Sequence, residues 1–114
     1  MSVYTPDSWV IVEIDHDGEK THKVLAGWSG SYLYGASWKL NSGITKISVS
    51  ESEEDPELIY DIKGYSGSVY SCWGGRERMN GYMSDVYVGF EKQLESIGGT
   101  IKIIDIKDIL KDYE

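Results

Sequence analysis

The chain has 114 residues, 40% of them hydrophobic, and a formal net charge of −8. That length sets one domain with a core that needs no disulfide staples. The charge argues against broad binding to nucleic-acid phosphates, and the single cysteine, Cys72, leaves no intrachain disulfide and no cysteine zinc cluster.

The opening residues Met1-Ser2-Val3-Tyr4 hold no basic stretch ahead of an apolar run, so no signal peptide is expected. Residues 1–7 read as an arm ending in a turn at Thr5-Pro6-Asp7. Trp9 to Ile14 is rich in β-branched residues and predicts a strand, paired with His22 to Trp28 across a polar hairpin loop that carries Asp17-Gly18. Asp15, Asp17 and Glu19 alternate like the opening of a calcium loop, but the later carboxylate and the flanking helices of that motif are missing. Tyr32 to Leu40 and Ile44 to Ser50 read as the next strands, divided by the turn Asn41-Ser42-Gly43. The register of the second stays open, because Ile44 and Ile47 fall on opposite sides of a strict alternation. Residues 51–57 form an acidic loop, read as a solvated tip.

Leu58 to Lys63 follows, with Leu58, Tyr60 and Ile62 expected on one face, and Val69 to Trp73 is a further short strand. After a glycine-rich stretch at 74–81, Met83, Val86, Tyr87, Phe90, Leu94 and Ile97 recur at spacings of three and four, which predicts an amphipathic helix. Gly98-Gly99 stops it. Thr100 to Ile104 is a last strand, and Asp105 caps a short C-terminal helix with Ile106, Ile109, Leu110 and Tyr113 on its apolar face. Strands first and helices later predict an α+β fold: a mainly antiparallel sheet with one amphipathic helix packed on it and a short C-terminal helix.

One phrase occurs twice: Gly27-Trp28-Ser29-Gly30-Ser31 and Gly64-Tyr65-Ser66-Gly67-Ser68. Glycine admits positive φ and close backbone approach, serine donates and accepts hydrogen bonds, and an aromatic face stacks on flat ligands. The two copies read either as walls of a small pocket for a flat polar ligand or as two tight turns. Nine tyrosines and four tryptophans against one phenylalanine fit either a wet pocket or a sheet core.

Catalysis has less support. The histidines are His16 and His22, both in or beside the first hairpin, and Cys72 reads as a small buried hydrophobe. A Cys–His enzyme would require the fold to bring Cys72 to His22. Gly74-Gly75 lacks the Gly-Lys-Ser/Thr of a phosphate-binding loop, and no dinucleotide fingerprint is present. Arg76 and Arg78 are a local basic spot leading into a helix, suited to a phosphate or carboxylate. The alternative is that they pair with Glu77, Asp85 or the acidic loop. Lys39 and Lys63 are secondary anion contacts. The expected ligand-binding set is Trp28, Ser29, Ser31, Tyr65, Ser66, Ser68, Trp73, Arg76, Arg78 and Tyr82, with no catalytic residue, metal or cofactor.

The runs Tyr4-Thr5-Pro6-Asp7-Ser8-Trp9-Val10, Ala26-Gly27-Trp28 through Ser37-Trp38-Lys39-Leu40-Asn41-Ser42-Gly43-Ile44, and Gly64-Tyr65-Ser66-Gly67-Ser68-Val69-Tyr70-Ser71-Cys72 resemble small proteins of unknown function encoded by tailed bacteriophages. The resemblance covers most of residues 4–90 and leaves out the acidic loop and residues 98–114. It implies a phage accessory protein acting in the cytoplasm of an infected bacterium, where such proteins often counter host defence.

The leading expectation is a non-enzymatic binding protein that sequesters a small anionic, nucleotide-type signalling ligand. A second is an acidic protein–protein inhibitor of a host protein, steered by the carboxylates of residues 51–57. An enzyme and a small structural or assembly protein complete the set, with a homo-oligomer compatible with each. Neither nucleic acid nor membrane is an expected partner.

Overall fold

The computed structural model describes residues 2–31, 35–53 and 57–114. Tyr32, Leu33 and Tyr34, at the start of the third predicted strand, and Glu54, Asp55 and Pro56 of the acidic loop lie outside the described residues. The fold is α+β, with strands β1 (Val3–Tyr4), β2 (Ser8–His16), β3 (Glu19–Ser31), β4 (Gly35–Leu40), β5 (Ile44–Glu51), β6 (Leu58–Gly64), β7 (Val69–Trp73) and β8 (Thr100–Ile104). The helices are α1 (Gly81–Glu95) and α2 (Ile106–Tyr113), and a short 3₁₀ turn covers Gly74–Arg76.

The strands divide into two sheets, β4-β3-β2-β8 and β1-β7-β6-β5, where the sequence suggested one. The reason lies in β2. Trp9 and Ile11 face one side, Val10 and Val12 the other, and all four are buried. A strand with apolar residues on both faces needs a covering layer on each. On one face Trp9, Ile11, Val24 and Ala26 meet Ile47, Tyr60, Ile62, Tyr70 and Cys72 of the second sheet, together with Ile106 and Ile109 of α2. On the other, Val10, Val12, Leu25 and Ile101 meet Met83 of α1, flanked by Val86, Phe90 and Leu94. The helix spacing seen in the sequence therefore marks the face that α1 buries, and full burial of a side chain such as Met83 contributes about 1.5–3 kcal/mol.

Turns and caps follow the local chemistry. The first hairpin closes on Asp17 and Gly18, at φ 53° and 77°, which shortens the predicted loop to two residues. Asn80 caps α1 by accepting from Met83 N at 2.8 Å, and Gly99 N returns to the Leu94 carbonyl at 2.8 Å past its end. Asp105 caps α2 by accepting from Lys107 N at 2.9 Å, and the Glu77 carboxylate accepts from Ile106 N at 2.9 Å.

Three strands correct or sharpen the sequence reading. The N-terminal arm is a strand: Val3 and Tyr4 pair in parallel with Val69 and Tyr70, and Val69 N donates to the Ser2 carbonyl. In β5 a bulge between Ile44 and Lys46 resolves the ambiguous register and buries Ile44 and Ile47 together. Leu58 starts β6 as drawn but stays exposed, while Tyr60 and Ile62 are buried.

Candidate functional site

An open cleft of about 500 Å³ lies between β1 and the β3–β4 pair. Val3, Tyr4 and Thr5 form one wall, and Trp28, Ser37, Trp38 and Lys39 the other. Strand register explains the second wall. Trp28 pairs with Ser37 and Ala26 with Lys39, and Ala26 faces the space between the sheets. Trp28, Ser37 and Lys39 therefore project to that side as well. The Trp38 indole alternates to the other face, where it meets Phe90 of α1 edge-on at 5.4 Å.

The aromatic walls are braced. Tyr4 stands edge to face with Trp28 at 6.2 Å and lies 5.1 Å from Tyr70 between ring centroids. Trp28 Nε1 donates to the Thr5 carbonyl at 3.1 Å. Those contacts fix the two rings against each other and use the Thr5 carbonyl, not its hydroxyl. The Lys39 ammonium lies 5.0 Å from the centroid of the Tyr4 ring, a cation–π distance. Among the described residues no carboxylate comes within 4.0 Å of it. Lys39 is also the one charged side chain among the described residues that line the cleft.

The residues singled out in the sequence are spread over four places. Trp28 lines the cleft, and Ser29 stands beside it, its N and Oγ donating to Asp7 Oδ2 at 3.0 and 3.1 Å. Ser31 closes β3. Tyr65, Ser66 and Ser68 belong to the β6–β7 turn, where Ser66 N donates to Ser42 Oγ at 2.9 Å and Gly64 N to the Ser68 carbonyl at 3.2 Å. The Tyr65 ring lies across Gly43, close to Thr21. Thr21 and Trp28 are seven positions apart on β3, about 23 Å in an extended strand. The two copies of the repeated phrase thus do not share a pocket.

Trp73 ends β7, and Arg76 and Arg78 lie just past it. The Arg76 guanidinium is 5.9 Å from the Trp73 ring centroid, and Arg78 Nη1 donates to the Gly75 carbonyl at 2.9 Å. Neither arginine has a carboxylate within 4.0 Å among the described residues. The hollow of about 230 Å³ beside them is walled by Glu57, Glu77 and Asp105 with Lys107, a surface that repels anions. The Glu57 carboxylate already accepts from Gly75 N. Burial holds the Glu77 carboxyl above its ordinary pKa. Tyr82 is exposed on α1.

The nucleophile and base candidates are committed elsewhere. Cys72 is buried between the sheets, and desolvation pushes its thiol far above the ordinary range. His22 Nδ1 is 2.7 Å from Tyr113 Oη and its Nε2 3.1 Å from Glu13 Oε1, while Lys102 Nζ is 3.2 Å from Glu13 Oε2. The hydrogen bond from His22, and then Lys102, holds the Glu13 carboxyl below its ordinary pKa. This row ties α2 to the first sheet. Among the described residues no group of three or more His, Cys, Asp or Glu is placed to hold a metal ion, and no helix is long and apolar enough to cross a membrane.

Sequence reasoning singled out Trp28, with Lys39 in a secondary role, and missed Tyr4, Thr5 and Ser37. Tyr4 was hidden because the arm carrying it gives no strand signal of its own. Comparison with protein-family models, with curated proteins and with solved structures gave no match.

Proposed function

We propose that this chain is a non-enzymatic binding protein whose site is the cleft between β1 and the β3–β4 hairpin, and that its ligand is flat, anionic and of the nucleotide class. The observation that carries the reading is the Lys39 ammonium, held over Tyr4 beside Trp28 with no carboxylate within 4.0 Å among the described residues. A cation beside aromatic walls, with Thr5 and Ser37 in the same lining, offers stacking, charge and orientation together. The volume is in the range of small-molecule sites. Sequestration needs only stoichiometric capture. The phage resemblance supplies the setting: an accessory protein in the infected bacterial cytoplasm that lowers the free concentration of a defence signal.

The test is a thermal-shift screen against linear and cyclic nucleotides, with each ligand recovered and chromatographed after incubation. A raised melting temperature with intact ligand, lost in Trp28→Ala, is the expected result. Consumed ligand would make the chain an enzyme. Silence across the panel would overturn the reading and favour a host protein as partner, engaged through the acidic surface.

A further inference from the structure

We infer that the cleft selects ligands with a single negative charge beside a flat ring, and that it turns polyphosphates away. The inference rests on the binding reading above and adds the charge class of the ligand. It follows from a count of cations and their directions. Lys39 is the one charged residue among those described that line the cleft, and its ammonium is positioned by the Tyr4 ring at 5.0 Å. One ammonium neutralises one charge at short range.

Among the described residues no second cation lines the cleft. Lys63 is on β6 next to Ile62, which points into the space between the sheets, so strand alternation sends Lys63 to the opposite, exposed face. Arg76 is drawn onto Trp73, four positions along β7 from Val69, the residue paired with Val3 at the cleft. That separation is about 13 Å along the strand before the turn carrying Arg76 begins. Thr5 and Ser37, the polar neutral residues of the lining, add no charge. Every further phosphate would enter the field of a protein with net charge −8 and meet no further cation among the described residues that line the cleft. Within the nucleotide class this favours a phosphodiester, which carries one charge, over a triphosphate.

The experiment is calorimetric titration with the nucleoside, the 3′,5′-cyclic monophosphate and the triphosphate of adenine, guanine, cytosine and uracil. For the base that binds, the cyclic monophosphate is expected to bind about tenfold tighter than either the nucleoside or the triphosphate, the scale of one charged hydrogen bond. Lys39→Ala, a change at an exposed position, should bring the cyclic monophosphate down to the nucleoside. Ser37→Lys should add the missing second cation and narrow the gap to the triphosphate. A triphosphate that binds as tightly as the cyclic form to the unaltered protein overturns the single-charge inference and leaves the cleft reading standing. A preference that survives Lys39→Ala overturns the role given to Lys39. Silence from all twelve ligands overturns the cleft reading, and this inference with it.

Discussion

The two copies of Gly-aromatic-Ser-Gly-Ser share their letters and almost nothing else. In the first, Gly27 lies in the middle of a sheet and makes room for Met83 of α1, Trp28 is half-buried in the cleft wall, and Ser29 is tied to Asp7. In the second, Gly64 packs against Asn41 and Ser42, Tyr65 is 77% exposed across Gly43, and the remaining residues close a hairpin. Both second glycines are left-handed, Gly30 at φ 74° and Gly67 at φ 89°. What differs is the surroundings: the first copy is covered by a helix on one face and by β1 on the other, and the second is covered by neither. A local phrase thus sets which backbone angles are open, and its tertiary neighbours decide whether it builds a wall or a turn.

The sharpest contrast is between the second glycines. A Cβ on Gly30 would collide with the Gly35 carbonyl oxygen as well as occupying a left-handed backbone, whereas one on Gly67 meets nothing within 4 Å. Gly30→Ala should therefore cost about 3 kcal/mol or more by urea unfolding, and Gly67→Ala only about 1 kcal/mol, the conformational penalty alone. Equal losses would mean that the β3–β4 hairpin does not constrain Gly30. Next comes Gly27→Ala, whose new methyl falls on the Met83 thioether. A loss of about 1–3 kcal/mol is expected from overpacking, and Met83→Ala in the same chain should relieve part of the clash, measured as non-additivity in a double-mutant cycle.

The aromatics are separated by binding rather than by stability. Removing one stacking face costs about 1–3 kcal/mol of affinity in base-stacking sites. Trp28→Ala should weaken capture of a cyclic mononucleotide by that amount, while Tyr65→Ala should leave it unchanged. Equal losses from the two would break the distinction drawn between the copies.

The smallest effect is one of pH, at the end of β3 that carries Thr21 and His22. Glu13 has its pKa lowered in the fold, chiefly by the hydrogen bond from His22. A carboxyl lowered in this way contributes stability above its unfolded pKa and loses it as pH falls through the folded value. Unfolding free energy should therefore fall on acidification through the carboxylate range, less steeply in Glu13→Gln. An unchanged slope in that variant would remove Glu13 from the account.

Much of the fold could be read from local pattern. The alternating runs placed most strand cores, the three–four spacing placed α1, and Asp105 announced α2, because each of these signals is carried by residues near in sequence. The split into two sheets was less visible, since Trp9-Val10-Ile11-Val12 reads as a strand whichever layers cover it. The cleft was least visible. Trp28 stood out through the repeat, but its partners Tyr4 and Ser37 come from a two-residue strand and an edge strand, joined only through pairing of β1 with β7 and of β4 with β3. Arg76 and Arg78 drew attention by their charge and their place before a helix, and neither reveals that the hollow beside them is walled by carboxylates.

The indole N–H groups of the four tryptophans give the most direct test of the central assignment. In an ¹⁵N-resolved titration with a cyclic mononucleotide, the Trp28 resonance, whose N–H bonds to the Thr5 carbonyl in the cleft wall, should move first and furthest, ahead of Trp38, whose indole turns to the other face against Phe90. Trp9, buried and donating to the Trp73 carbonyl, should stay fixed, as should Trp73 beside Arg76. A shift centred on Trp73 with Trp28 unmoved would place the ligand at the arginine turn and contradict the account.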